Sequence, residues 1–286
     1  MKTLRALYSG LAGCSLASAA FASSLTVGTV QDTMLWEKFP DTPQGSETVM
    51  IAGTNGHDED SRSLLAFDLT AIPSNAVVTS AALTVKVVTL APEFPSPAKM
   101  DLRRLLVPWS DAAATWTNRL ISIRWSTSGA AAPIDFTNAV TRTITVTALG
   151  PYIFLSNSNM IADVQRWVAD PGSNFGWIII SEVQGTSGSE CKFGTREDPA
   201  NAPSLTVQFT VPATPPTLTP LPILANKFRL SFVAETNRVY AVEYSGILTA
   251  TNWTALTSIG PLTVATNVIV SDTLTASNRF YRVSTP

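Results

Sequence analysis

The stretch that most constrains the fold is NMIADVQRWVADPGSNFGWIII, residues 159–180, because its apolar period changes halfway along. Ile161, Val164, Trp167 and Val168 recur at helical spacing, with Ser158 or Asn159 as candidate N-caps. Asp170-Pro171-Gly172 ends that pattern, and residues 175–180 then form a continuous apolar, β-branched run. Such a run bounded by turn residues predicts a strand buried on both faces. One short helix therefore feeds one central strand.

Around this unit the chain is written as short strands. Candidates lie at 25–30, 33–36, 48–52, 64–69, 83–87, 101–107, 143–148, 190–194 and 204–210, separated by Pro, Gly, Asn and Ser. Leu83, Val85 and Val87 alternate with Thr84 and Lys86, as a half-buried strand requires. The pattern predicts an all-β, jelly-roll-type β-sandwich with one short helix closing an end. A long irregular region, about 108–138, holds Trp109, Trp116, Trp125 and Phe136; loops of that length are functional or packed down by their own aromatics.

Residues 212–222 carry proline at 212, 215, 216, 220 and 222, a composition that favours an extended spacer. Beyond it Phe228, Leu230 and Phe232, then Tyr240, Val242 and Tyr244, alternate with polar residues. About five strands there predict a small sandwich of fibronectin or immunoglobulin type over 223–286. The expected organisation is thus 1–22 as an export signal, 23–211 as the large sandwich, 212–222 as linker and 223–286 as the small one.

The signal rests on Lys2 and Arg5 ahead of an apolar, small-residue stretch that closes on Ala20-Phe21-Ala22. Secretion to the exterior or the cell surface follows, with no transmembrane segment, since no other apolar run reaches the roughly 18 residues a membrane helix needs. Leu11-Ala12-Gly13-Cys14 offers the alternative of a lipoprotein anchored through Cys14. If Cys14 leaves with the signal, Cys191 is the only cysteine left, and it reads as a buried free thiol in a strand.

Charged residues make up 14% of the chain and the net charge is −2, which excludes the clustered basic footprint of a nucleic-acid binder. The single histidine, His57, sits in an acidic loop far from any nucleophile elbow, so neither a triad nor a zinc set can be assembled. Asp32, Glu37, Asp68, Asp111, Asp135, Asp163, Glu182 and Glu197 are available to a glycosidase, but nothing in sequence pairs two of them. Asp58, Glu59 and Asp60 offer oxygens to calcium without the EF-hand spacing; the alternative is a solvated loop. No other cofactor is expected.

Several motifs in order carry a family resemblance. Gln31-Asp32-Thr33-Met34-Leu35-Trp36-Glu37, Leu65-Ala66-Phe67-Asp68-Leu69, Ala114-Thr115-Trp116, Asp163-Val164-Gln165-Arg166-Trp167 with Asn174-Phe175-Gly176-Trp177, and Lys192-Phe193-Gly194-Thr195-Arg196-Glu197 together resemble the secreted bacterial DNRLRE domain family. The resemblance spans about 25–210. It implies an exported jelly-roll module, with some relatives binding acidic polysaccharides such as alginate. The tail is similar to C-terminal domains of exported verrucomicrobial-type proteins. One departure stands out: where the family often carries a Gly-rich acidic insert, Trp109-Ser110-Asp111 runs directly into Ala112-Ala113-Ala114.

Sugar binding on such a scaffold needs aromatic faces for pyranose rings and arginines for sugar carboxylates. Trp36, Trp109, Arg119, Arg124 and Trp125 are the candidate ligand contacts, whereas Trp116, Trp167 and Trp177 sit in structured motifs and read as core. The expected function is non-catalytic binding of a polysaccharide, acidic in character. The alternatives are a structural or adhesive surface protein and, less favoured, a polysaccharide-cleaving enzyme.

Overall fold

The strand candidates condense into longer strands than their spacing suggests. In the computed structural model, which describes residues 21–212, 215–274 and 278–285, the candidates at 25–30 and 33–36 join into one strand of 16 residues. The described residues divide into two compact units between Val211 and Pro212. Residues 2, 5 and 14, on which the export and lipoprotein expectations rest, lie outside the described residues. Among the described residues no helix is long and apolar enough to cross a membrane.

The first unit contains β1 (Phe21–Trp36), β2 (Val49–Thr54), β3 (Asp60–Phe67), β4 (Val77–Leu90), β5 (Ala98–Arg104), β6 (Asn118–Leu120) and β7 (Ile123–Arg124). It continues through β8 (Arg142–Val146), β9 (Gly150–Phe154), α1 (Ser158–Ala169), β10 (Trp177–Ser181), β11 (Cys191–Gly194) and β12 (Ser204–Val211). The strands form a β-sandwich. One layer follows the order β1-β3-β10-β5-β8; the other gathers β12, β11 and β9 around β4, with β2 beyond β11. Strand β1 serves both layers, pairing β12 and β3, and its register shifts between Thr29 and Gln31 where it crosses. A bulge bends and twists a strand, which is what a switch between sheets demands.

Helix α1 and β10 behave as the change of period predicts, with one correction. The cap is Asn157, not Ser158 or Asn159: its side-chain oxygen accepts the Met160 N–H at 2.8 Å. Met160, Val164, Trp167 and Val168 are buried, and Gln165 fixes the helix to the start of β4 by accepting the Val78 N–H and donating to the Ala76 carbonyl. Each fully buried large side chain on this face contributes roughly 1.5–3 kcal/mol. Gly176 joins helix to strand at φ +73°, and a Cβ there would collide with the Leu65 carbonyl, so no other residue fits.

Strand β10 is buried on both faces. Trp177 and Ile179 enter the core between the layers, together with Phe67, Phe154, Trp167 and Phe193. Ile178 points the other way, into a second apolar cluster with Leu35, Leu64 and Leu105. Cys191 is a free thiol within the main core, where burial pushes its pKa up and keeps it from reacting.

The second unit contains β13 (Thr219–Leu224), β14 (Lys227–Ala234), β15 (Tyr240–Ser245), β16 (Thr254–Ile259), β17 (Thr266–Thr273) and β18 (Phe280–Ser284). Two three-stranded sheets, β13-β14-β17 and β16-β15-β18, enclose a core around Leu230, Phe232, Tyr240, Val242 and Val270. The stretch 212–222 therefore does not act as linker to its end, because Thr219 and Pro220 already pair with Ser231 and Leu230. Proline is tolerated there because β13 is an edge strand, where a missing N–H can face solvent.

Candidate functional site

The long irregular region folds down over the outer face of the β1-β3-β10-β5-β8 layer. Leu35, Leu64, Ala66 and Ile178 project from that face and meet Trp109, Ala114, Trp125, Ala130 and Phe136 from the loop. Trp109 is only 6% exposed and Trp125 only 4%, so neither offers a ring to a ligand. Their indole N–H groups are satisfied internally: Trp109 donates to the Phe175 carbonyl at 2.8 Å and Trp125 to the Thr115 carbonyl at 2.9 Å. The expectation of ligand contact at these two residues is corrected accordingly. An apolar face on a central sheet must be covered, and the loop's tryptophans are what cover it.

Arg119 also belongs to the loop's own framework, donating from Nη1 to the Pro108 carbonyl at 2.8 Å. Buried Asp135 accepts the N–H groups of Ser126 and Ala131 and the Ser126 hydroxyl, so it organises the turn after Trp125. At the loop's beginning Asp111 is held by Arg196, which also pairs with Glu197 at 2.8 Å and donates to the Val30 carbonyl. Asp111 and Arg196 thus clamp the start of the loop.

A different surface emerges where β1 ends. Trp36 is half-buried and Phe39, three residues on, is 42% exposed; their rings meet edge to face at 4.9 Å and 89°. The Lys38 ammonium lies 5.6 Å from both ring centroids. The turn is closed by the Phe39 N–H donating to the Trp36 carbonyl at 3.1 Å, and by Glu37, whose carboxylate accepts the Asp60 N–H. The Trp36 indole nitrogen is buried and has no hydrogen-bond partner among the described residues, unlike those of Trp109 and Trp125.

Two backbone bonds tie the segment before Arg124 to the turn after Trp36. Thr117 N–H donates to the Pro40 carbonyl at 3.0 Å, and Trp125 N–H to the Thr117 carbonyl at 3.3 Å. Arg124, the last residue of β7, precedes Trp125, is exposed and makes no ion pair among the described residues. Of the five predicted ligand residues, the fold leaves Trp36 half-buried at the end of β1 and Arg124 exposed on β7, in segments linked through the Thr117–Pro40 bond. Sequence reasoning missed Phe39 and Lys38, although the run Trp36-Glu37-Lys38-Phe39-Pro40 placed an aromatic and a cation beside Trp36 in a turn.

Asp58, Glu59 and Asp60 do not converge on a common point. Glu59 accepts from the Asn55 side chain at 2.6 Å, Asp60 accepts from the Thr54 hydroxyl at 2.7 Å, and Asp58 stands at φ +61° in the turn. Asn55 closes the loop by accepting the N–H groups of His57 and Glu59. Among the described residues no group of three or more acidic, histidine or cysteine side chains is arranged to hold a metal ion. The carboxylates singled out for acid–base chemistry are likewise occupied: Asp163 pairs with Arg104 at 2.8 Å and accepts from Thr141 and Trp177, and Asp32 accepts from Thr29 and from the Arg196 N–H.

With this geometry in hand, comparison with known proteins gives two findings. Residues 23–209 match the family model of carbohydrate-binding module family 96, so the chain belongs to that family. No curated protein matches it.

Proposed function

We propose that this member of carbohydrate-binding module family 96 is an exported, non-catalytic module that binds an acidic polysaccharide at the corner formed by Trp36, Lys38, Phe39 and Arg124. One observation supports the reading: half-buried Trp36 and exposed Phe39 form an aromatic pair against Lys38, and among the described residues neither Lys38 nor Arg124 forms an ion pair with a carboxylate. The rings offer apolar surface to the C–H faces of pyranose units, and Lys38 and Arg124 meet sugar carboxylates. Arg124 contributes the planar fork suited to a carboxylate, and Lys38 a mobile point charge. Export rests on the basic and apolar residues at 2–22.

Affinity electrophoresis in gels containing alginate, polygalacturonate or neutral glycans tests the proposal. Retardation by an acidic glycan, weakened by added salt and by Trp36→Ala, is expected. Absence of retardation in every acidic glycan would sink it.

The adhesive alternative draws on a separate observation. The hairpin joining β13 to β14 exposes Ile223 and Leu224 at 59% and 62% beside a tight turn at Ala225 and Asn226. Self-association through that tip would appear in light scattering as concentration-dependent mass; a monomer at all concentrations would remove it.

A further inference from the structure

The second unit carries a feature that glycan binding at the Trp36 corner does not use: two turns at one end of it hold exposed aliphatic side chains in consecutive pairs. Ile223 and Leu224 stand at the hairpin between β13 and β14, and Ile247 and Leu248, 65% and 39% exposed, stand in the loop after β15. The strand register places both turns at the same end. Strand β17 pairs Thr273 with Lys227 at the hairpin and leads to Leu274, whose N–H donates to the Asn226 carbonyl at 3.0 Å. The chain returns at Phe280, which pairs with Ser245 at the foot of the second loop. Single apolar residues scattered on a surface are ordinary, but four gathered at one end of a small unit call for a partner.

What these turns do with their backbone narrows the partner. Ala225 and Asn226, both at positive φ, form a two-residue turn closed by the pairing of Leu224 with Lys227. In the loop the Ser245 hydroxyl accepts the Ile247 N–H at 3.1 Å and donates to the Ile247 carbonyl at 2.9 Å, and that carbonyl also accepts the Ala250 N–H at 3.2 Å. Trp253 donates its indole N–H within the same loop, to the Ala250 carbonyl at 3.0 Å. Peptide groups beside the exposed side chains thus find partners inside the turns, which is the condition for entering a medium that offers no hydrogen bonds. Charge points the same way. Residues 221–232 and 244–253 contain no aspartate or glutamate, and exposed Lys227 stands across the turn from Leu224.

We infer that this end of the second unit docks onto an anionic lipid surface, with Ile223, Leu224, Ile247 and Leu248 entering the boundary between headgroups and acyl chains and Lys227 meeting lipid phosphates. Side chains at the tips of turns suit a fluid interface, which closes around each of them, whereas a rigid protein partner would need a separate pocket for each pair. Insertion of the aliphatic side chains supplies the binding, and the cation without a neighbouring carboxylate selects anionic lipid. The Trp36 corner belongs to the other unit, so neither reading rests on the other.

The test is flotation with vesicles of phosphatidylcholine alone, or of phosphatidylcholine mixed with phosphatidylglycerol. It uses residues 23–286, the exported form proposed above, so that the apolar stretch at 6–20 does not itself reach lipid. Binding to the mixed vesicles that exceeds binding to phosphatidylcholine alone, and that salt weakens, is the expected result. Ile223→Ser with Leu224→Ser, and separately Ile247→Ser with Leu248→Ser, should each lower partitioning at least about tenfold. Val264, 69% exposed, lies at the opposite end, where Leu262 bridges to Thr236, and Val264→Ser should leave partitioning unchanged. All five positions are exposed, so each variant should keep the melting temperature of the parent. No binding to the mixed vesicles, equal binding to both vesicle types, an equal loss with Val264→Ser, or full binding in both double variants would overturn the inference. So would concentration-dependent mass without vesicles that the Ile223→Ser, Leu224→Ser variant abolishes, because a second copy would then cover these side chains.

Discussion

Trp109 and Trp125 in the long loop, and Trp36 at the end of β1 with Phe39 in the turn after it, flank the same sheet layer, yet they do opposite work. The loop tryptophans turn inward over Leu35, Leu64 and Ile178, and each indole N–H finds a backbone carbonyl. Of the corner aromatics, Phe39 is exposed and Trp36 stays half-buried, with a lysine against both rings. A tryptophan in a loop is thus not by itself a ligand platform. What separates the two cases is whether an uncovered apolar sheet face lies within reach.

That contrast can be broken experimentally, and the largest effect is expected in the loop. Trp109→Ala should cost about 3–5 kcal/mol of stability by opening a cavity on the outer sheet face, read by chemical denaturation. If stability instead held and glycan binding fell, the assignment of the two regions would be reversed. Asp135→Ala should follow at about 1–3 kcal/mol, since it strands the buried N–H groups of Ser126 and Ala131.

At the corner the balance shifts from stability to binding. Trp36→Ala should lower affinity for an acidic glycan about tenfold, a change near 1.4 kcal/mol, with a smaller loss of stability than Trp109→Ala. Arg124→Ala should leave the melting temperature within experimental scatter, as a surface change within about 0.5 kcal/mol does. Its retardation by acidic glycans should fall most at low ionic strength, where exposed charges are least screened.

The smallest effect concerns pH. Burial pushes the Asp32 carboxyl above its usual range, outweighing the bonds from Thr29 and the Arg196 N–H. A raised folded pKa means that the folded protein holds the proton more tightly than the unfolded chain. Its stabilising contribution is full below the unfolded pKa and is lost as pH rises through the folded one. Asp32→Asn should therefore lose less stability than the wild type between about pH 4 and pH 7, the range above an ordinary aspartate pKa. A parallel dependence in the two proteins would show that Asp32 does not titrate differently in the fold.

Much of the architecture was legible because it depends on local period. Residues 159–180 announced a helix and a doubly buried strand, and α1 and β10 are those elements, displaced only by the Asn157 cap. The Phe67-Asp68 turn was legible too: an aspartate ending a strand caps the following N–H, as Asp68 does for Thr70. Strand β9 was not, since Gly150-Pro151-Tyr152-Ile153-Phe154 begins with two turn-forming residues and only pairing with β4 makes it extended. Nor was the proline-bearing β13, whose strand character depends on β14 beside it.

For the site, the sequence by itself determined the candidates: which residues are aromatic, which are cationic, and that the single histidine sits in an acidic loop. It also determined the all-β class, because alternation and turn residues are written locally. Only the tertiary structure decided that Trp109 and Trp125 are core while Trp36 stays half-buried beside Phe39 and Lys38. The reason is physical. Burial of a loop side chain depends on the apolar face waiting beneath it, and that face is assembled from Leu35, Leu64 and Ile178, which stand on three different strands.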